Sequence, residues 1–108
     1  MDVRRQERLR SRANILKALA HPSRLLIVEE LAKEERCVCE LQKMIGADIS
    51  TVSKHLTVLK KAGLVHDDKR GLQVFYRLLS PCVMNFFGCV ESVIEAHKTE
   101  ARAAEIVE

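Results

Sequence analysis

Residues 37–63 read CVCELQKMIGADISTVSKHLTVLKKAG. A short helix over about Cys37 to Ile45 is closed by Gly46, the residue most tolerant of a left-handed backbone. Asp48 or Ser50 can cap a second helix over about Ser50 to Ala62. Val52, Leu56 and Leu59 recur at helical spacing and form its buried stripe, while Thr51, Lys54, His55, Thr57 and Lys61 point away. Gly63 closes it. Two short helices across a tight turn make a helix-turn-helix. The outward face of the second helix carries small hydroxyls, amines and an imidazole, groups that donate and accept at base edges and phosphates. Ser50, Thr51, Ser53, Lys54 and His55 occupy its N-terminal half, the part that enters the major groove in such motifs, with Thr57 one turn on. Lys60 and Lys61 are placed for backbone phosphates.

Working outward, residues 64–66 and 72–78 are two β-prone segments around a polar, glycine-containing turn at Asp67 to Gly71, which reads as a hairpin. A hairpin after a helix-turn-helix is a wing, and Lys69, Arg70 and Gln73 near its tip can meet phosphates or the adjacent minor groove. A polar helix face by itself is as often plain solvated surface. The basic wing and the buried helix upstream favour the reading role.

Upstream, Leu9, Ala13, Leu16 and Ala20, with Ile15 and Leu19 beside them, predict a first helix from about Arg4 to Leu19. His21-Pro22 interrupts it, and proline suits the first turn of the next helix. That helix runs through Leu25, Leu26, Ile27, Val28 and Leu31, apolar on nearly every side and therefore buried. A charged link, Lys33 to Arg36, leads into the helix-turn-helix. Downstream, Pro81 opens a last helix to about Ala103 with Val83, Phe87, Val90 and Ile94 as its stripe. The expected architecture is mostly α with a small β-hairpin in one domain, residues 1–108. It divides into flanking helices at 1–20 and 81–103, a helix-turn-helix at 37–62 and a wing at 64–78.

With 108 residues, 47% of them hydrophobic and 4% aromatic, the interior must be filled by Leu, Ile, Val and Ala, and so small a core gains from a shared interface. The net charge of +3 permits nucleic-acid binding without establishing it, because distribution matters more than the sum. Arg4, Arg5, Arg8, Arg10 and Arg12 crowd the start, and the last residues are acidic. The N-terminus lacks an apolar stretch and no run reaches membrane-spanning length, so a cytoplasmic protein is expected, with its four cysteines reduced. Neither a glycine-rich phosphate loop, nor paired carboxylates, nor a His-oriented nucleophile is present, which argues against an enzyme and a small organic substrate.

The segments Ala18-Leu19-Ala20-His21-Pro22-Ser23-Arg24-Leu25, Ser50-Thr51-Val52-Ser53-Lys54-His55-Leu56, Ala62-Gly63-Leu64-Val65 and Gln73-Val74-Phe75-Tyr76-Arg77-Leu78 closely resemble the ArsR–SmtB family of metal-responsive repressors, in order and over nearly the whole chain. The resemblance implies a winged helix-turn-helix homodimer held by its first and last helices. It further implies that a bound metal or metalloid releases double-stranded operator DNA.

Cys37-Val38-Cys39 resembles that family's metal-binding box. Soft thiolates select As(III), Cd(II), Pb(II) or Zn(II), and As(III) fits best because the N-terminal arm has no cysteine. A helix N-terminus and Arg36 both favour the thiolate. On a regular helix, residues i and i+2 face different sides, so both sulfurs reach one ion only if the first turn distorts. Where arsenic-responsive members often carry a third cysteine, this chain has Gln42, so the third ligand falls to Cys82 or, less favoured, Cys89. These two lie roughly 10 Å apart along a helix and cannot share an ion within one chain. The zinc-type site on the last helix retains His97 and Glu100, but Ser80 and Cys82 stand where its other ligands belong. Two further readings stay open. One is a thiol-redox or persulfide sensor, in which Cys37 or Cys39 is expected to pair with Cys82 or Cys89 because neighbours two apart make a strained disulfide. The other is a metal-indifferent DNA-binding module.

Overall fold

Asp2 opens the first helix by accepting the Arg5 amide at 2.8 Å, and α1 spans Val3–Leu19. The computed structural model describes the backbone of residues 2–107 and the side chains of residues 2–104, so the acidic end of the chain lies outside the described side chains. His21 caps α2 (Pro22–Lys33) through Nδ1, which accepts from the Ser23 amide at 3.1 Å, and Pro22 occupies the first turn, where its missing N–H costs nothing. The strand β1 (Arg36–Cys37) then feeds directly into α3 (Val38–Ile45). Gly46 ends α3 at φ +78°, a conformation that strains any residue with a Cβ. Asp48, not Ser50, caps α4 (Ile49–Lys61), accepting the Thr51 amide at 2.8 Å.

The core sits where α4 crosses α2. Val52, Leu56 and Leu59 of α4 and Ile27, Val28 and Leu31 of α2 are buried in one cluster, joined by Ala18, Leu19, Leu41, Leu64 and Val65. Arrangement of the buried residues thus follows the expected stripes, and it turns the opposite face of α4 to solvent.

The sheet differs from the two-stranded hairpin read in the sequence. Strands β2 (Val65–Arg70) and β3 (Gln73–Leu78) pair antiparallel from Val65↔Leu78 to Arg70↔Gln73, so the tip is Gly71-Leu72 and Asp67 to Arg70 belong to a strand. Charged residues disguise a strand well when its outer edge and one face meet water. Beyond β3 lies β1, paired as Arg36↔Tyr76 and Cys37↔Phe75, which makes the sheet order β1-β3-β2. Two residues are too few to show alternation, and the link read at residues 33–36 therefore concealed a strand.

Pro81 and Cys82 lie in a turn closed by the Val83 and Met84 amides on the Ser80 and Pro81 carbonyls, and α5 begins only at Val83 and runs to Val107. Large apolar side chains stay exposed on α1 (Leu9, Leu16) and α5 (Phe86, Val90, Val93, Ile94). With Leu25, they border an open groove of 330 Å³ between α1, α2 and α5. Among the described residues, no helix is long and apolar enough to cross a membrane.

Leu59 is fully buried and Leu72 fully exposed. Leu59→Ala is therefore expected to lower the unfolding free energy by about 2–5 kcal/mol in denaturant titrations. Leu72→Ala is expected to change it by less than about 0.5 kcal/mol.

Candidate nucleic-acid interface and thiol site

Capping by Asp48 fixes the start of α4, and burial of its Val52–Leu56–Leu59 stripe fixes its rotation. Ser50, Thr51, Ser53, Lys54, Thr57 and Lys61 consequently stand exposed along one side, with hydroxyls toward the N-terminal end and amines distributed along it. Thr57 turns its hydroxyl back to the Ser53 carbonyl at 2.9 Å, which leaves its methyl group outward. The wing extends beside this face, with Lys69 and Gln73 exposed.

Three residues read as free DNA contacts are engaged within the protein. Lys60 reaches the Asp67 carboxylate at 2.9 Å; the pairing holds the Asp67 carboxyl below its usual range and the Lys60 amine above its own. Arg70 grips Glu35 through two nitrogens at 2.6 and 3.0 Å, reaches Asp68 at 2.9 Å, and lies 4.6 Å over the Phe75 ring. A forked guanidinium held by two carboxylates and stacked on an aromatic face braces the wing against the residue before β1. His55, read as outward-facing, is half-buried and accepts at Nδ1 from Arg24 Nε at 3.1 Å. Among the described residues, Lys54, Lys61 and Lys69 enter no ion pair.

Local backbone explains the cysteines. Cys37 ends β1 with φ −79° and ψ 158° and also serves as the residue capping α3, so it is extended, whereas Cys39 already lies in the first helical turn. The separation of i and i+2 side chains applies only inside a regular helix, and here one of the pair stands outside it. Their Cα atoms are 5.4 Å apart and their sulfurs are joined as a disulfide. This corrects two expectations: no unwinding of α3 is needed to bring the sulfurs together, and neither needs Cys82 or Cys89 as a partner. It also departs from the expectation of four reduced cysteines. Glu40 completes the junction by accepting the Cys37 amide at 3.2 Å.

Arg36 was expected to lend positive charge to the thiols. Its guanidinium is instead surrounded by Glu30, Glu34 and Glu40 at 3.1 to 3.3 Å, which neutralises it, and its Nε is buried without a partner. Successive strand residues face opposite ways, so the side chain before Cys37 is directed away from it. Nothing in the sequence spacing signals this three-carboxylate cluster, because Glu30 comes from the preceding helix.

Cys37 is buried and Cys39 exposed. Both line an open cleft of 350 Å³ with Ile49 and Ser53 of α4 and with Leu72, Gln73 and Val74 at the wing. The cleft is the one place where thiols, the start of α4 and the wing adjoin. Cys82 borders a different cavity, between α1 and the start of α5, and Cys89 is exposed on α5. Among the described residues, no three His, Cys, Asp or Glu side chains gather in a metal-holding group. The expected third thiolate, from Cys82 or Cys89, is thus not brought to the pair within one protomer, nor do His97 and Glu100 join a third ligand.

A sequence profile described as the bacterial regulatory protein, arsR family, matches residues 21–67. A biofilm growth-associated repressor of Xylella fastidiosa is 33% identical over 96 residues, covering 89% of this chain and 84% of the relative. NolR from Sinorhizobium fredii shares the fold with a TM-score of 0.78 at 31% identity, over 86% of this chain and 93% of its own. Reduced HlyU from Vibrio cholerae does so with a TM-score of 0.72 at 30% identity, over 83% and 95%.

Thiol titration of the protein purified without reductant is expected to count the two free cysteines, Cys82 and Cys89, and to count all four after reduction. Four reactive thiols at the outset, without any prior reductant, would contradict the Cys37–Cys39 bond.

Proposed function

This chain belongs to the ArsR family of bacterial regulatory proteins, and from that premise we propose a homodimeric repressor whose hold on operator DNA is set by Cys37 and Cys39. It is a DNA-binding transcriptional regulator and not an enzyme. The exposed side of α4 enters the major groove, with Ser50, Thr51, Ser53 and Lys54 toward the base edges, and Thr57 and Lys61 further along. Lys69 and Gln73 of the wing lie toward the flanking backbone. The apolar residues left exposed on α1 and α5 bury one another across a two-fold axis. A dimer of this kind reads two inverted half-sites about one helical turn apart.

The observation that carries the sensory part is the Cys37–Cys39 disulfide in the wall of the cleft bordered by α4 and the wing. Oxidation takes two electrons and two protons from the paired thiols. A hydroperoxide that accepts them becomes an alcohol and water. The bond forms between a buried sulfur and an exposed one, at the point where β1 becomes α3, so a change there bears on both neighbouring DNA-facing elements. The existence of a solved relative described as reduced accords with a redox-responsive thiol chemistry in this fold.

A second reading uses the same adjacency. Reduced, the two sulfurs present soft thiolates side by side, a donor set suited to As(III) before Cd(II), Pb(II) or Zn(II). With two protein thiolates in one protomer, the remaining coordination would fall to solvent or to the partner subunit.

Fluorescence anisotropy on a labelled duplex of the protein's own promoter separates these readings. Under the redox reading, peroxide weakens binding by about tenfold or more and dithiothreitol restores it, an effect within the usual range of coupling between sites. Under the metalloid reading, arsenite releases the reduced protein and peroxide does not. Cys39→Ser is expected to bind DNA normally and to ignore both; loss of DNA binding in that variant would overturn the sensory role.

Free and engaged cations should also differ. Lys54→Ala and Lys61→Ala are each expected to reduce the slope of log affinity against log salt by about 1, the signature of one lost phosphate contact. Arg70→Ala, whose charge is already met by Glu35 and Asp68, is expected to change that slope less.

A further inference from the structure

Arg24 and His55 are given no role by the reading above, which needs only the exposed face of α4 and the cysteine pair. Arg24 sits in the first turn of α2 and bridges three helices. Its Nη1 donates to the carbonyls of Lys17 and Ala18, at 3.3 and 3.2 Å, where α1 ends and those oxygens lack helical partners. Its Nε donates to Nδ1 of His55, at 3.1 Å, in the middle of α4. The His21 ring, which caps α2, lies 4.3 Å from the His55 ring at a 45° tilt.

We infer that this Arg24–His55 contact is a latch that sets the position of the DNA-reading helix α4 against α1 and α2, and that His55 is a positioning residue rather than a base-reading one. Several observations converge on it. The apolar stripe of α4 fixes which way the helix faces, but van der Waals contacts resist sliding along the axis weakly compared with directed hydrogen bonds. Arg24 supplies the only such bond to the middle of α4 from α2 among the described residues. The other end of the same guanidinium holds the end of α1, a helix whose apolar side is exposed for a second copy. A shift of α1 is therefore felt at α4 through one planar side chain.

The latch requires a neutral imidazole. Guanidinium nitrogens only donate, so Nδ1 of His55 must present a lone pair. Arg24 and His21, both on α2, are the charged and titratable groups that face His55, and α1 brings carbonyl oxygens to the same guanidinium. Burial first, then His21 and Arg24, hold His55 below the usual histidine range. The contact is thus intact at neutral pH and is lost as acid protonates His55, which removes the acceptor and sets a cation against Arg24. His66 and His97 gain charge over the same interval, which by itself strengthens attraction to phosphate.

Anisotropy on the promoter duplex tests this with the full-length dimer. His55→Ala and Arg24→Ala are each expected to weaken binding about tenfold at pH 7.5, and the double variant to be no weaker than either, because both remove one shared contact. His55→Asn, whose amide oxygen takes the place of Nδ1 without titrating, should bind within about twofold of the wild type, as a volume-similar acceptor replacement. From pH 7.5 to 5.5 the wild type is expected to lose affinity relative to His55→Asn. Losses that multiply in the double variant would show two independent DNA contacts and overturn the latch, as would His55→Asn following the wild-type pH profile. Unfolding midpoints are read alongside. If Arg24→Ala does not fold, Arg24→Lys replaces it in the cycle, since lysine keeps the charge but cannot span three acceptors.

Discussion

Everything that α4 presents to solvent depends on what it buries. Val52, Leu56 and Leu59 fall on one side of a thirteen-residue helix and pack into the apolar surface of α2. Rotating α4 by one residue would expose leucines and bury hydroxyls and amines without partners, at a cost of several kcal/mol. The hydroxyl and amine face is therefore directed outward by the core, not by anything DNA does. Asp48 adds the axial reference: its carboxylate, held below the usual range mainly by the hydrogen bonds from Thr51, starts the helix at one residue.

These features were legible because they are local and periodic. The spacing of Val52, Leu56 and Leu59, the left-handed Gly46, and proline at the start of α2 each act within a turn or two of chain, and the observed helices follow them. The wing was legible in kind but not in register. Asp67-Asp68-Lys69-Arg70 has the composition of a turn, yet its charges are satisfied at a distance: Asp67 by Lys60 of α4, Arg70 by Glu35 ahead of β1. Pairings seven and thirty-five residues apart leave no trace in local pattern. The same blindness applied to charge. A list of cations suggested that Lys60 and Arg70 meet phosphates, whereas their carboxylate partners are a product of the fold.

The thiol pair shows a different limit. A Cys-x-Cys sequence is ambiguous because its geometry is set entirely by whether the helix has begun. Placing Cys37 inside a helix separates the sulfurs; placing it one residue before the helix, at the end of a strand, brings them together. The deciding element was β1, two residues long and stabilised by pairing with Tyr76 and Phe75, forty residues away in the chain. Local propensity has no purchase on so short a strand, since its hydrogen-bonding partner decides whether it exists. What changed the reading of the cysteines was therefore the third strand of the sheet.

That strand also determines what the thiol pair can influence. Cys37 is hydrogen-bonded into the sheet that continues through β3 to the wing, and it caps the helix that turns through Gly46 into α4. A bond made or broken at Cys37–Cys39 acts at the branch between these two routes. The α4 route has an opposing anchor: His55 ties the middle of the helix to Arg24, and through it to α1. Movement starting at the N-terminal end of α4 would consequently pivot about its centre and displace Ser50 and Thr51 more than Lys60 and Lys61. A helix held at its middle and driven from its start changes the angle at which it meets a groove while its buried stripe stays in place. Such a motion needs no repacking of Leu56 or Leu59, and that makes it cheaper than one that moves the core.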